Sequence, residues 1–204
     1  MAKAIALGED ARGRSAPNPN VGCVIVSSSG RVVGKGATAA GGRPHAEAVA
    51  LGEAGNKAPG ATVYVSLEPC AHHSDRGPPC TDLLLNAGPA RVVIGLKDPD
   101  SRTAGKGIRR LRRAGIEVRL GLERGAARRS LSGWLTRLEL GRPRITLKLA
   151  LSIDGKIALP SGESKWITGE DARRHVHLER AHSDMILVGR GPYMADEPKL
   201  EVRL

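Results

Sequence analysis

Aromatic side chains and long apolar runs are scarce in this sequence. Of its 204 residues, 2% are aromatic and none is Phe. The core must therefore be aliphatic, and a nucleic-acid surface that stacks bases on aromatic rings is nearly excluded. No apolar run approaches the roughly 18–20 residues that a membrane span needs, and the N-terminus turns acidic at Glu9 and Asp10, too early for a secretory signal. We expect a cytoplasmic protein with no membrane and no nucleic-acid partner; a homo-oligomer is compatible with the sequence.

Cysteine is also scarce, and three residues cannot all pair. Cys23 lies in an apolar, strand-like run and is interpreted as a small buried hydrophobe. Cys70 and Cys80 are close in the sequence. In a reducing compartment such a pair suggests metal binding or catalysis rather than a disulfide.

The charge is unevenly distributed. The formal net charge is +11, and residues 102–142 contain 12 basic against 3 acidic residues. This excess could attract phosphate, on a small nucleotide or on nucleic acid. A solvated, arginine-rich face is the equally weighted alternative.

Apolar periodicity predicts alternating strands and helices. Strands are expected at 21–27, 31–36, 61–67, 91–95 and 116–120, with helices at 2–14, 45–54, 81–87, 107–114 and 124–140. This alternation is typical of a three-layer α/β/α domain. The pattern restarts at 142, with buried strands expected at 145–150 and 184–189 around a helix from 168 to about 182. We therefore predict a domain at 1–141 and an incomplete second domain at 142–204, because about 60 residues are too few for a whole α/β domain.

Four residues form a candidate catalytic zinc site. A catalytic zinc has three protein ligands and leaves its fourth position to water, and His45, Cys70 and Cys80 can supply the three. Glu47, two residues after the histidine, can reach that water as a proton shuttle. The signature of zinc deaminases, in which hydroxide attacks a ring carbon, is His-x-Glu followed by Pro-Cys-x-x-Cys. Here nine residues rather than two separate the cysteines. A closed structural zinc, or no metal, is the alternative; His72, between the cysteines, is expected to line the pocket or to substitute as a ligand.

Two sets of motifs resemble one known family. The first set comprises Pro17-Asn18-Pro19-Asn20-Val21-Gly22, Pro44-His45-Ala46-Glu47, Leu67-Glu68-Pro69-Cys70 and Pro78-Pro79-Cys80. It resembles the deaminase half of the bifunctional riboflavin-biosynthesis deaminase/reductases. The second set comprises Leu147-Lys148, Ser152-Ile153-Asp154-Gly155-Lys156, Trp166-Ile167-Thr168-Gly169 and Ala195-Asp196-Glu197-Pro198. It resembles the start of the reductase half, so the resemblance implies a cytidine-deaminase-like domain followed by the start of a dihydrofolate-reductase-like α/β domain.

The resemblance also implies two activities and their residues. The first is hydrolytic, zinc-dependent deamination of 2,5-diamino-6-(5-phosphoribosylamino)pyrimidin-4-one, and the second is NADPH-dependent reduction of the ribosyl group to ribityl. It implies zinc on His45, Cys70 and Cys80, Glu47 as proton donor and Asn18 at the deaminase substrate. In the reductase half it implies an NADP site at Ala150, Trp166 and Asp196, and substrate contacts at Lys148, Ser164, Arg180, Leu200 and Arg203. Arg180 and Arg203 are the residues expected to face phosphate.

The chain departs from the family pattern at several positions, among them Thr38, Asp100 and Pro192, and two departures bear most on function. The loop that leads into the second cysteine is one residue longer than in the family. It is Ser74-Asp75-Arg76-Gly77-Pro78-Pro79-Cys80, whereas the family has Gly-Arg-Thr-Pro-Pro-Cys, so this loop should bulge. The family's reductase domain continues well past Leu204, so we expect no NADPH oxidation by this chain alone. The alternatives are a tRNA or nucleobase deaminase, which the basic stretch favours, and an inactive zinc-binding or oligomerising module, which the altered loop favours.

Overall fold

The computed structural model describes residues 1–203, except for the side chains of Ala195 and Asp196. The chain divides into two compact units, Met1–Arg144 and Ile145–Leu204. The domain boundary expected at 141–142 stays a prediction. Within the described residues, no helix combines the length and the apolar character that crossing a membrane requires.

The first unit is built on a five-stranded mixed sheet. Its strands are β1 Gly22–Val26, β2 Val32–Ala37, β3 Thr62–Leu67, β4 Arg91–Leu96 and β5 Glu117–Leu120. The strand order is β2-β1-β3-β4-β5. Strand β1 runs antiparallel to β2 and β3, whereas β3, β4 and β5 are parallel. The parallel strands therefore end at the same edge of the sheet.

Helices cover both faces of this sheet. They are α1 Ala2–Asp10, α2 Ala46–Ala54, α3 Cys80–Ala87, α4 Lys106–Arg113, α5 Arg124–Ser130 and α6 Ser132–Leu140, with short 3-10 turns at Ala40–Gly42 and Gly55–Lys57. A Cβ atom on Gly22 would lie 1.8 Å from the carbonyl oxygen of Ala4 in α1, and one on Gly36 would lie 2.3 Å from that of Ala46 in α2. Gly36 pairs with Cys23, so these two residues face the same side of the sheet. Gly22 precedes Cys23 in β1 and therefore faces the other side. Helices α1 and α2 thus lie on opposite faces. The predicted three-layer α/β/α architecture is confirmed.

The core of the first unit is aliphatic, as the composition requires. Its largest fully buried side chains include Ile25, Leu84, Ile94 and Leu111. Burying one such side chain contributes about 1.5–3 kcal/mol. Cys23 is also fully buried in this core, which confirms its interpretation as a small hydrophobe.

The single helix predicted at 124–140 is two helices, and that prediction was wrong in this detail. Leu131 joins α5 to α6 with φ −90° and ψ 11° and is fully buried. The side chain of Asn20 donates to the backbone oxygen (3.4 Å) and to Oγ (3.3 Å) of Ser130. Asn20 thus provides a donor for the carbonyl oxygen of Ser130 at the end of α5, and Leu135 of the next helix is buried in the core.

In the part of the second unit that the structure describes there are two helices, α7 Glu170–Ala181 and α8 Arg190–Asp196. The helix predicted from Thr168 is confirmed, with Gly169 as its N-cap. The strands predicted at 145–150 and 184–189 are absent from the part of this unit that the structure describes, so those two predictions were wrong. A strand exists only when its backbone is paired with a neighbour, and neither segment has such a partner there.

Candidate functional site

The predicted metal ligands lie at the edge of the sheet where the parallel strands end. Cys70 follows β3, Cys80 is the first residue of α3, and His45 is the N-cap residue of α2. Crevices at the carboxyl ends of strands are where ligands bind in open α/β sheets. The two helix N-termini also present positive dipole ends, which favour thiolate over thiol.

The three candidate ligands lie within contact distance of one another. The Nδ1 atom of His45 is 3.3 Å from Sγ of Cys80 and 3.5 Å from Sγ of Cys70. The potential ligand atoms of all three lie within 4.8 Å of one another. The backbone N–H of Cys80 donates to Sγ of Cys70 at 3.2 Å. Both thiols are buried.

The electrostatics of the two sulfurs suit a divalent cation. A hydrogen bond from Cys80, with help from His45, lowers the pKa of Cys70 to about 4. The same bond, together with burial, raises the pKa of Cys80. Between the two sulfurs, ionisation is therefore easier at Cys70 than at Cys80, and a cation between them would allow both to ionise. One imidazole nitrogen and two thiolates are the donor set of tetrahedral zinc sites, so the residues present fit zinc.

Glu47 lies beside this cluster in the first turn of α2 and is only 3% exposed. Burial, followed by the charge of Cys70, raises the pKa of its carboxyl group. A carboxyl group with these surroundings can accept and release a proton next to the metal ligands.

Asn18 contacts the candidate ligand histidine directly. Its Nδ2 atom is 2.8 Å from Nε2 of His45 and donates to the carbonyl oxygen of Gly42 at 2.8 Å. It also lines the cavity that opens onto Glu47 and Cys70. The geometry therefore brings Asn18 to the site, where its substrate contact stays a prediction.

This cavity contains residues that the sequence reasoning did not select. They are Thr38, Arg43, Arg76, Asp98, Asp100, Arg102 and Trp134. They come from separate loops and one helix, so no motif joins them in the sequence. His72 also lines the cavity, as expected, and its Nδ1 lies 3.3 Å from Oγ1 of Thr103.

Two buried carboxylates shape the wall beside Cys70. Both oxygens of Glu68 accept backbone N–H bonds, from Gly105 at 2.9 Å and from Ile108 at 3.2 Å, which fix the start of α4. Burial raises the pKa of Asp98 to about 6. Glu68 belongs to the Leu-Glu-Pro-Cys motif, yet only the fold shows that its partners are backbone amides about 40 residues away.

In the second unit, the residues expected around the reductase site fall into separate groups. Ser164 and Trp166 line one cavity, together with Asp154 and Lys156. Lys148 is exposed and Ala150 half-buried, and neither lines that cavity. The structure thus brings together only part of the predicted NADP set.

The other predicted substrate contacts gather at Glu201. Nη1 of Arg180 donates to its carbonyl oxygen at 3.2 Å, and Nη1 of Arg203 donates to its carboxylate at 2.8 Å. Leu200 precedes it in a left-handed conformation, with φ 53°. The side chain of Asp196 lies outside the described residues. The roles expected for all of these residues stay predictions.

Comparison with known proteins extends over the whole chain. Residues 1–96 match the model of the cytidine and deoxycytidylate deaminase zinc-binding region, and residues 143–204 match that of the RibD C-terminal domain. Riboflavin biosynthesis protein RibD of Escherichia coli strain K12 is 51% identical over 100% of this chain and 55% of its own length. RibD of Haemophilus influenzae is 46% identical over 100% of the chain and 54% of its own length. The chain therefore spans about half the length of the curated relatives it matches.

A solved structure shows the same correspondence. The diaminohydroxyphosphoribosylaminopyrimidine deaminase/5-amino-6-(5-phosphoribosylamino)uracil reductase of Thermotoga maritima aligns with a TM-score of 0.92 and 41% identity, covering 100% of this chain and 58% of that one. The resemblance seen in the motifs is confirmed by relatives that match the chain from end to end. The chain belongs to the RibD family of riboflavin biosynthesis proteins.

Proposed function

We propose that the first unit is a zinc-dependent deaminase that hydrolyses the pyrimidine 2-amino group of 2,5-diamino-6-(5-phosphoribosylamino)pyrimidin-4-one. The observation that carries this proposal is the buried Glu47 beside the His45, Cys70 and Cys80 cluster, at a cavity. Three ligands with a neighbouring, non-ligating carboxylate are the arrangement of a catalytic rather than a structural zinc site.

Glu47 has the central role in the proposed mechanism. Zinc held by His45, Cys70 and Cys80 would supply a water whose pKa is lowered to about 7. A carboxylate oxygen of Glu47 would accept a proton from the attacking water and deliver it to the amino group. The water oxygen would form a bond to the ring carbon, and the bond from that carbon to nitrogen would break to release ammonia. Because Glu47 is buried, bulk water does not compete for this proton.

The phosphate of the substrate gives the arginines of the cavity a role. Arg43, Arg76 and Arg102 line the same cavity as Glu47, and guanidinium groups bind phosphate oxygens through paired hydrogen bonds. The deaminase substrate would therefore place its reactive ring near Glu47 and its phosphoribosyl group towards these arginines. This assigns part of the basic excess to a small phosphorylated ligand.

For the second unit we propose the reductase role that its family implies. The cavity lined by Ser164 and Trp166 supports binding of NADPH there. We still expect these 204 residues alone to show no measurable NADPH oxidation, because the segments 145–150 and 184–189 do not form the strands that would support the site. Loss of NADPH absorbance with the deaminated product as substrate tests this, and clear turnover would contradict it. Cytoplasmic location, absence of nucleic-acid binding and oligomeric state stay predictions.

The deaminase proposal is tested by Glu47→Gln, which keeps the shape of the side chain but cannot carry the proton. We expect ammonia release to fall on the order of 10²–10⁴-fold with the zinc content unchanged. Glu53→Gln, at an exposed position on the same helix, is the matched control and should retain full activity. Full activity of Glu47→Gln would refute the role of Glu47. A parallel assay with a tRNA anticodon stem tests the alternative: deamination of that RNA, with none of the free nucleotide, would reverse the assignment.

A further inference from the structure

The loops that carry the candidate zinc ligands are joined by two arginines. Nη1 of Arg43 donates to the carbonyl oxygen of Pro78, and its Nη2 donates to Oγ of Ser74, both at 3.3 Å. Arg76 reaches in the opposite direction and donates to the carbonyl oxygen of Gly41. We call Arg43 and Arg76, with these reciprocal hydrogen bonds, the arginine clasp.

The clasp is attached close to the ligands on both sides. Arg43 lies two residues before His45, and Pro78, which it contacts, lies two residues before Cys80. A shift of either loop would therefore move a ligand directly. The planar guanidinium group of Arg43 bridges two acceptors at once, which a flexible single-point donor cannot do.

The lengthened loop between the cysteines explains the need for such a bridge. Its extra length is folded into a turn in which the backbone N–H of Gly77 donates to the carbonyl oxygen of Ser74 at 3.1 Å. The intervening residues Asp75 and Arg76 are exposed. Ordering an exposed loop costs roughly 1–2 kcal/mol per residue in backbone entropy, and contacts with a neighbouring segment offset that cost.

We propose that Arg43 is a positioning residue for the zinc site, and that the arginine clasp holds the His45 and Cys80 loops in register and so slows release of the metal. The inference rests on the proposed function, because it requires zinc at His45, Cys70 and Cys80. It assigns Arg43 a role in addition to any contact with phosphate.

Simple electrostatics predicts the opposite effect. A guanidinium group near a divalent cation repels it, so removing the positive charge alone would strengthen zinc binding. If the clasp positions the ligands, removing Arg43 must weaken zinc binding instead. The direction of the change therefore separates the two explanations.

Arg102 provides the matched control. It lines the same cavity, but its hydrogen bonds go to Asp100 in its own loop and do not join the two ligand loops. Arg102→Ala removes the same charge from the cavity and leaves the clasp intact.

The experiment measures the rate at which the zinc-loaded full chain releases its metal to an excess of a chromophoric chelator. We expect release from Arg43→Ala to be at least about 10-fold faster than from wild type, the scale on which partners of metal ligands act. Arg43→Lys should be intermediate, and Ser74→Ala, which removes one acceptor at an exposed position, should show a smaller increase. Arg102→Ala should release zinc at the wild-type rate or more slowly. Circular dichroism of each loaded protein verifies that it is folded.

The outcomes separate the inference from the function on which it rests. Release from Arg43→Ala at the wild-type rate, or an equal acceleration in Arg102→Ala, would overturn the clasp alone, since wild type would still hold zinc. A wild-type protein that retains no zinc would overturn the proposed function and the clasp together. Faster release in Arg43→Ala and Ser74→Ala, with Arg102→Ala unchanged, supports the clasp even if deamination were of another pyrimidine.

Discussion

The two units contain equally apolar segments that end in opposite environments. In the first, Val63 and Val65 of β3 are completely buried between β1 and β4. In the second, Ile145 and Leu187 are 81% and 93% exposed. The segments that contain Ile145 and Leu187 have the same apolar pattern of a buried strand as β3, yet only β3 has neighbouring strands on both sides. Apolar patterning thus shows that a segment can form a strand, while backbone pairing with other segments determines whether it does.

The same contrast applies to the candidate sites. In the first unit, the loop after β3 and the N-termini of α2 and α3 converge on one edge of a finished sheet, so ligand residues up to 35 positions apart in the sequence meet within 4.8 Å. In the second unit, the residues expected at one NADP and substrate site lie in separate groups. Convergence of side chains requires the sheet that positions them.

Amide hydrogen exchange should show the largest difference between the units. We expect the amides of β3 and β4 to be protected on the order of 10³-fold or more, because opening them requires unfolding of the core. The amides of 145–150 should exchange close to the unprotected rate, since no backbone hydrogen bond joins them to another segment within the described residues. Exchange of the full chain followed by mass spectrometry measures both. Strong protection at 145–150 would contradict the contrast.

A matched pair of leucines tests the same comparison energetically. Leu111 in α4 is completely buried and Leu187 in the second unit is exposed. We expect Leu111→Ala to reduce the free energy of unfolding by about 2–5 kcal/mol. Leu187→Ala should change it by less than about 0.5 kcal/mol. Urea denaturation followed by circular dichroism measures the free energy of unfolding of both variants. Similar losses of stability in both would mean that the second unit also has a packed core.

Asp98 makes the stability of the first unit dependent on pH. Burial raises its pKa from 3.8 to about 6 in the folded protein, so folding favours the protonated form. Its contribution to stability is therefore greatest below the unfolded pKa and is lost as the pH rises through about 6. We expect Asp98→Asn to be more stable than wild type at neutral pH, by on the order of 1–2 kcal/mol, and similar to it at low pH.

Thermal unfolding at several pH values measures this effect. The same substitution at Asp184, which is exposed in the second unit, should change stability by less than about 0.5 kcal/mol. A gain from Asp98→Asn that is equally large at low pH would show that the buried charge is not its cause.

The two tryptophans give the smallest expected effect. The indole N–H of Trp134 is buried with no hydrogen-bond acceptor among the described residues, whereas Trp166 is exposed beneath Arg173. Trp134→Phe removes an unpaired buried donor, which offsets the loss of buried area, so we expect a change in the free energy of unfolding of under about 1 kcal/mol. Trp166→Phe should have a similarly small effect. Destabilisation by several kcal/mol in Trp134→Phe, measured by urea denaturation, would indicate that the donor is paired in solution.

Much of the fold of the first unit is predictable from local pattern. All five strands and the helices around them were expected within a few residues, because apolar periodicity, Gly88 at a helix end and the turn residues all agree with the final packing. The break at Leu131 was not expected, and the side chain that donates to Ser130 beside it, Asn20, is 110 residues away in the sequence. In the second unit the strands were wrongly predicted because periodicity contains no information about whether a pairing partner is present.

The sequence by itself determined which chemical groups are present, an imidazole, two thiols and a carboxylate, and showed a family resemblance that the comparisons confirm. Residue type and short spacing carry that information because each ligand is defined by its own side chain. Only the tertiary structure decided which groups surround them. The buried position of Asp98, the amide contacts of Glu68 and the arginine clasp arise from loops that meet only after the sheet has formed, and such contacts between distant segments leave no local signal in the sequence.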